Sequence, residues 1–321
     1  MFSVTELKTG EGTLQYRREW ITGLSCRISP ERIKRRIDQP VPVVYPMDGC
    51  PFCPDRLPSA TPTFPGGERI TVGESVTFPN LFPFAAWHTV TVISRDHAVE
   101  VFSRQMLGDA IRGSIQSLQG RQGYPSLNWN YLPSAGASLA HPHLQGLVDP
   151  RPSLVSERYH TGCEQYLRGW GSLYWDDLRS RERDGPRYLF GDEILWLAHA
   201  VPLGEREVRA LLPIRTIGEM EPFVDTFADG LRMVMEFYRS LGTAAFNLSL
   251  FFDRDGEDRG FRAFASIIAR INPNPASLSD SSFMERLHLE PVILTAPEDV
   301  ARRFRKKRGK SPEMRNINRS V

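Results

Sequence analysis

Apolar residues recur along this chain with two spacings that alternate in order. Over 88–93 the run His88-Thr89-Val90-Thr91-Val92-Ile93 alternates branched apolar with other residues, the period of a half-buried strand. It follows 76–83, which reads as a strand running into a turn. A helix is predicted over 104–119, where Leu107, Ala110, Ile111, Ile115 and Leu118 fall on one face. The segment 127–131 is again a strand, and a Gly/Ala/Ser turn leads into 141–148. That order then recurs. Segments 194–197, 202–204 and 207–212 read as strand, turn, strand, and 221–240 as a helix with Phe223, Phe227, Leu231, Val234 and Phe237 in register. Two more strands, 245–252 and 261–271, flank a polar hairpin at 253–260. Val90 matches Val208 and His97 matches Arg215 at an offset of 118 (208 − 90, 215 − 97), and Asn130 matches Asn247 at 117. A duplicated α+β unit of about 110 residues is the simplest reading. The second copy places Phe264, Ser266 or their neighbours where the first has His141 and His143, so one copy alone keeps the polar residues.

Residues 1–60 are rich in Pro and Arg, with short strand-like pieces at 24–28 and 41–45. Between the copies, 166–187 holds Trp170, Trp175 and mixed charges, and is expected to be a helical or loop connection packed on the first unit. From Arg302 the chain runs Arg-Arg-Phe-Arg-Lys-Lys-Arg, which reads as a solvated helix end and a frayed terminus rather than a nucleic-acid signal.

Composition narrows the class. With 18 Phe, 9 Tyr, 6 Trp and 25 Pro in 321 residues, neither disorder nor coiled coil describes the whole chain. A formal charge of +2 supplies no global field toward nucleic acid or membrane. No apolar run approaches the ~18 residues of a spanning helix, and no signal-peptide pattern opens the chain. The expectation is a soluble cytoplasmic protein with neither nucleic acid nor membrane as partner.

Four cysteines are too few for a disulfide framework. Cys26 and Cys163 stand alone, whereas Cys50-Pro51-Phe52-Cys53 forms a knuckle. Such a pair is a metal half-site, a redox pair or two loop cysteines. A redox pair would open a helix after a strand. Pro51, Pro54 and Pro58 break helix formation there, which favours metal.

The second concentration of chemistry is Ser138-Leu139-Ala140-His141-Pro142-His143-Leu144-Gln145. In an extended chain His141, His143 and Gln145 share a face. Three polar groups on one face of an apolar strand are costly to bury unless something binds them. A pair of imidazoles can ligate a metal, attack an electrophile or do one of each; the bland alternative is a surface strand with scattered histidines.

Taken with its surroundings, this stretch resembles the nucleophile strand of the galactose-1-phosphate uridylyltransferase family of the histidine-triad superfamily, including its ADP-glucose phosphorylase-like members. The likeness extends over about residues 17–301. Ile21-Thr22-Gly23 followed by Ser29-Pro30-Glu31-Arg32-Ile33-Lys34-Arg35 is similar to the family's N-terminal segment, and Cys50-Pro51-Phe52-Cys53-Pro54 resembles its zinc knuckle. Asn80-Leu81-Phe82-Pro83, His88 and Ser94-Arg95-Asp96-His97 follow its next motif. Phe283-Met284-Glu285 and Pro297-Glu298-Asp299-Val300-Ala301 resemble its closing one.

The resemblance implies two tandem histidine-triad-like units, each an antiparallel sheet with helices, the second degenerate. The expected boundaries are 1–165 for the catalytic unit with its zinc knuckle, 166–190 for the connection, 191–301 for the second unit and 302–321 for the basic tail. It implies one zinc per chain on Cys50, Cys53, His97 and His141, a Cys2His2 set with no open position, as in structural sites. It makes His143 the nucleophile toward the α-phosphorus of a nucleotide sugar, in ping-pong transfer through a covalent nucleotidyl-histidine. Gln145 would donate to the phosphoryl oxygens, with Ser138 beside it. Arg32, Arg35, Asn80, Asn130 and Glu285 are the implied substrate contacts. His88 falls on a strand-start histidine and is expected to be structural. The acceptor would be a sugar phosphate or phosphate, and a homodimer is expected. A phosphorylase or hydrolase of ADP-sugars or dinucleoside polyphosphates would use the same strand, and a zinc-stabilised nucleotide-binding module without turnover is the reading from another class.

Three departures accompany the match. Leu132 replaces the glycine of a K-N-x-G motif, which here reads Trp129-Asn130-Tyr131-Leu132. The second unit, at Phe264-Ala265-Ser266, lacks the H-x-H metal pair of some members. Leu287, Leu289 and Ile293 occupy the closing segment's glycine and asparagine positions.

Overall fold

A computed structural model describes residues 1–9, 12–35, 48–271 and 280–309; the strand expected at 41–45 and the end of the tail lie outside them. In chain order come β1 (Phe2–Thr9), β2 (Gly12–Glu19), β3 (Ser25–Ile28), a short helix α1 (Leu57–Ala60), β4 (Ile70–Val72), β5 (Ser75–Pro79), β6 (Trp87–Val92), α2 (Arg104–Leu118), β7 (Tyr124–Tyr131) and β8 (His143–Asp149). Helices α3 (Leu154–Trp170) and α4 (Tyr174–Glu182) follow, then β9 (Tyr188–Phe190), β10 (Leu195–Ala198), β11 (Val208–Leu211), α5 (Val224–Ser240), β12 (Phe246–Phe251), β13 (Phe264–Ala269), β14 (Val292–Ile293) and α6 (Pro297–Arg308).

Among the described residues ten strands join in one antiparallel sheet, ordered β4-β5-β6-β8-β7-β12-β13-β11-β10-β9. The fold is therefore α+β. At its centre β7 pairs with β12, and Asn130 stands directly opposite Asn247. Alternation along these strands explains the layering. Leu127, Trp129 and Tyr131 of β7, and Phe246, Leu248 and Leu250 of β12, are buried under α2 and α5, which pack on each other. Each such side chain contributes about 1.5–3 kcal/mol on burial. The opposite face of the same strands carries Ser126, Asn128, Asn130, Asn247 and Ser249, all half-buried. Gly146 of β8 lies under α2, where a Cβ would come within 2.6 Å of Thr89 Oγ1, so only glycine lets strand and helix approach this closely.

Strand β6 differs from the half-buried strand its sequence suggests. Residues His88 to Val92 are buried on both faces. The alternating threonines point at α2, where Thr91 Oγ1 lies 2.8 Å from Ser114 Oγ and Thr89 Oγ1 lies 2.9 Å from Ser117 Oγ. Serines on the helix satisfy hydroxyls that would otherwise have to face water.

The connection also docks differently from expectation. Helix α3 runs unbroken through 165–166, and Tyr159, Cys163, Tyr174 and Trp175 pack on Leu195, Leu197, Leu211 and Phe264, strands of the second half rather than the first. Trp175 stacks on Phe264 at 5.4 Å. The covered face of β10, β11 and β13 offers Leu195, Leu197, Leu211 and Phe264 around a buried Arg209–Glu207 ion pair, with the Arg209 guanidinium over the Tyr159 ring. A second sheet, β1-β2-β3-β14, ties the chain's beginning to its closing segment, helped by the Arg17–Glu298 ion pair at 2.9 Å. Among the described residues no helix is long and apolar enough to cross a membrane.

Candidate functional site

The cysteine knuckle folds as a turn over the outer face of β5 and β6. Leu57 N–H donates to Cys53 O at 2.8 Å, and Phe52 and Leu57 pack against Phe78, Val90 and Val92. That docking brings Cys50 and Cys53 to His97, just past β6, and His141, just before β8. All four ligand atoms lie within 4.8 Å of one another. Cys50 Sγ is 3.7 Å from His141 Nδ1, and Cys53 Sγ is 3.4 Å from His97 Nδ1 and 3.9 Å from His141 Nδ1. A tetrahedral ion with Zn–S and Zn–N bonds of about 2.3 and 2.0 Å would set such edges at about 3.5 Å. The donors fit. His141 Nε2–H donates to Ser94 O at 2.8 Å, which fixes the tautomer whose Nδ1 lone pair faces the thiols. In the metal-free chain desolvation, and then the adjacent Cys50, push the Cys53 thiol up to about 11.

Strand β8 begins at His143, so His141 precedes the strand rather than extending its face. The two are linked nevertheless. His143 Nδ1–H donates to the backbone carbonyl of His141 at 2.8 Å, and the edge of Phe52 meets both rings. Burial, the main cause, holds the imidazolium pKa of His143 below its ordinary 6.5, and the group is 5% exposed. At neutral pH this is a neutral ring with Nδ1 protonated and Nε2 presenting a lone pair, the state a nucleophile or base requires.

Gln145 is next on the same face, opposite Val90 and Asn128. Its side-chain oxygen lies 3.0 Å from His88 Nε2. Asn80 joins this group. Its Oδ1 accepts from Phe82 N–H at 2.9 Å, while its Nδ2 sits 3.0 Å from His88 Nε2. His88, expected to be structural, thus contacts Gln145, a partner 57 residues away in the chain that gave no local signal. Phe82 and Phe84 stand exposed beside it, with Phe84 edge-on to His88 at 4.3 Å.

A second polar row crosses the sheet. Asn247 Nδ2 donates to Asn130 Oδ1 at 2.6 Å and to Ala135 O at 2.8 Å, and Arg270 Nη1 donates to Asn247 Oδ1 at 2.7 Å while holding Asp280. Asn128 is likewise tied to Ser249 and to Gln145 O. The sequence matched Asn130 with Asn247 as repeat equivalents, but gave no sign that the two side chains meet or that Arg270 joins them.

The other implied contacts are more scattered. Ser138 is exposed in the loop leading to β8, and Arg32 is exposed on the 3-10 turn Pro30–Arg35 beside the small sheet. The side chain of Arg35 lies outside the described residues. Glu285 caps its own segment, accepting from Ser282 N–H at 2.8 Å and Val292 N–H at 3.2 Å, and lines a cavity of about 190 Å³ with Asn247, Arg270 and Asp280. Leu132 adopts a backbone conformation that favours glycine, with φ 75° and ψ 153°. Its carbonyl accepts from Ala135 and Ala137 N–H, closing the turn after β7.

No family model matches the chain. An uncharacterized protein of Archaeoglobus fulgidus is 28% identical over 267 residues, 80% of either chain. Among solved structures, an ADP-glucose phosphorylase from Arabidopsis thaliana, crystallised with bound ADP-glucose, superposes with a TM-score of 0.73 over 91% of this chain and 99% of its own at 16% identity. A galt-like protein of the same plant gives 0.72 over 91% and 98%, and a uridylyltransferase 0.68 over 92% and 99%, each at 16% identity. The chain therefore shares the fold of an ADP-glucose phosphorylase, a galt-like protein and a uridylyltransferase.

Proposed function

We propose that this protein is a nucleotidyltransferase that moves a nucleoside monophosphate from a nucleotide sugar to a phosphate or sugar-phosphate acceptor through His143. The observation that carries the reading is the His143 Nδ1–H bond to His141 O, which leaves Nε2 free of a proton on a buried, neutral ring. In the first step Nε2 attacks the α-phosphorus, the P–N bond forms, and the P–O bond to the β-phosphate breaks with its electron pair leaving on the sugar phosphate. In the second, an oxygen of the acceptor attacks phosphorus and the electron pair of the P–N bond returns to Nε2. Splitting the transfer spares two anionic phosphates from meeting directly. Throughout, Nδ1 keeps its proton and the His141 carbonyl stabilises the positive charge that develops on the ring. The amide of Gln145 donates to the phosphoryl oxygens, Asn80 and the adjoining aromatics face the nucleoside, and Ser138, Asn130, Arg32 and Arg35 meet the phosphates as substrate fills the groove.

Zinc is the ion we assign to Cys50, Cys53, His97 and His141. With four protein donors and no open position it would be structural, fixing the residue whose carbonyl holds His143. We further propose that the chain arose by duplication of one histidine-triad-like unit and acts as a cytoplasmic homodimer. The exposed Phe283, Leu287 and Leu289 around Glu285 support a segment that reaches a second subunit.

The test is incubation with ADP-glucose or UDP-glucose labelled at the α-phosphorus. Acid-labile label should appear on the wild-type protein and be absent from His143→Gly. A chase with inorganic phosphate against glucose 1-phosphate then identifies the acceptor by which of the two removes the label. A nucleotide complex that never labels would instead make the protein a binding module without turnover.

A further inference from the structure

We infer that His88 is a positioning residue that sets which way the Gln145 amide faces. This inference rests on the nucleotidyl-transfer reading of the site and deepens it. A glutamine side chain presents an oxygen at one corner and an NH2 group at the other, and only the second can donate to a phosphoryl oxygen. The orientation must therefore be imposed by a neighbour. His88 Nε2 lies 3.0 Å from Gln145 Oε1, and nothing but a protonated Nε2 makes that contact a hydrogen bond.

The rest of the surroundings puts the proton there. Phe84 N–H points at His88 Nδ1 at 3.4 Å, so Nδ1 is the acceptor nitrogen and Nε2 carries the hydrogen. Asn80 does not compete for either. Its oxygen is engaged by Phe82 N–H, and its Nδ2 sits 3.0 and 3.4 Å from the two ring nitrogens, which places it over the ring face rather than in the ring plane. His88 itself is buried at 4% exposure on β6, opposite Leu147, with backbone bonded on both sides. The resulting chain runs Phe84 N–H to Nδ1 and Nε2–H to Gln145 Oε1, which makes the NH2 group the donating end of Gln145. His88 acts in this arrangement through Gln145.

A double-mutant cycle on the full-length, metal-loaded protein tests it, read by single-turnover labelling with α-phosphorus-labelled ADP-glucose. His88→Ala should slow labelling about 10–100-fold while donor affinity changes less than about twofold, because the lost donation acts in the transition state. In a Gln145→Ala background the same change should add less than about twofold, since the group it orients is gone. His88→Gln, whose Nε2 lies the same number of bonds from the backbone, should recover most of the rate. Independent, multiplicative losses from the two alanines, or no recovery with glutamine, would overturn the inference. If the wild-type protein takes no label with either nucleotide sugar, the functional reading fails by itself, and 15N NMR decides the geometry separately. A His88 protonated at Nε2, with a Gln145 side-chain amide resonance that moves in His88→Ala, supports the positioning; protonation at Nδ1 or an unmoved amide refutes it.

Discussion

Leu132 offers a stability experiment whose sign is opposite to the usual one. Its φ of 75° and ψ of 153° belong to a region that essentially only glycine occupies, and holding another residue there costs about 1–3 kcal/mol. The side chain is 4% exposed and part of the main core, so truncation to alanine should cost about 2–5 kcal/mol through lost burial and the cavity left behind. Alanine retains a Cβ and therefore retains the strain. Glycine releases it, at an entropic cost of about 0.5–1 kcal/mol. Taking about 2 for the strain leaves Leu132→Gly about 1 kcal/mol more stable than Leu132→Ala, although both fall below wild type. At an ordinary buried position the alanine variant would be the more stable of the two. Urea unfolding followed by fluorescence, with the midpoints compared at equal m, measures the difference. An alanine variant equal to or more stable than the glycine variant would show that the turn bears no strain. The outcome bears on the candidate site because this turn leads into the loop carrying Ser138 and His141 and on to β8, which begins at His143.

Two further outcomes are expected. Cys53→Ser, or a strong chelator, should remove bound zinc and abolish labelling of His143, with metal affinity rising with pH because the thiols must lose protons to bind; stoichiometric zinc in the variant would dismiss the ligand set. Stability should fall on acidification, because burial holds His88 and His143 below 6.5 and His160 at about 4, whereas in the unfolded chain all three protonate near 6.5. Below that pH the unfolded state binds more protons, and the share due to His160 is lost between 6.5 and about 4. Urea midpoints that rise between about pH 7 and pH 5 would contradict the sign.

What the sequence disclosed follows from how local each feature is. Helices α2 and α5 and strands β7 and β12 carry their periodicity in single apolar faces, and the structure places them where that periodicity requires. The Cys50–Cys53 pair was legible as a metal half-site from its residues, whereas His97 and His141 joined it only through the family resemblance; the fold gathers all four. Strand β6 was misread because its threonines answer to serines on α2, a pairing of two elements rather than a property of one. The connection at 166–187 was expected to pack on the first unit, and its apolar residues alone name no partner. The partner is fixed only once β10, β11 and β13 are assembled into an apolar surface. The links from His88 to Gln145 and from Asn130 to Asn247 and Arg270 depend on strand register, which single-chain periodicity does not contain.

One residue joins the two chemistries of the site. His141 gives its ring to the thiol cluster and its carbonyl to His143, and the proline between them admits no other backbone donor at that point. A shift of the knuckle therefore reaches His143 through a single peptide unit rather than through a chain of packed side chains. Phe52 reinforces the connection, because it sits between the two cysteines in sequence and lays its edge against both imidazoles. Loss of metal should thus act on His143 first as disorder of its ring and only secondarily as loss of fold. The ten-stranded sheet has a large core of its own under α2 and α5, to which the knuckle contributes nothing. The apo protein should then remain folded by circular dichroism while failing to label. A metal-free protein that unfolds as a whole would mean that the knuckle supports the sheet rather than the nucleophile.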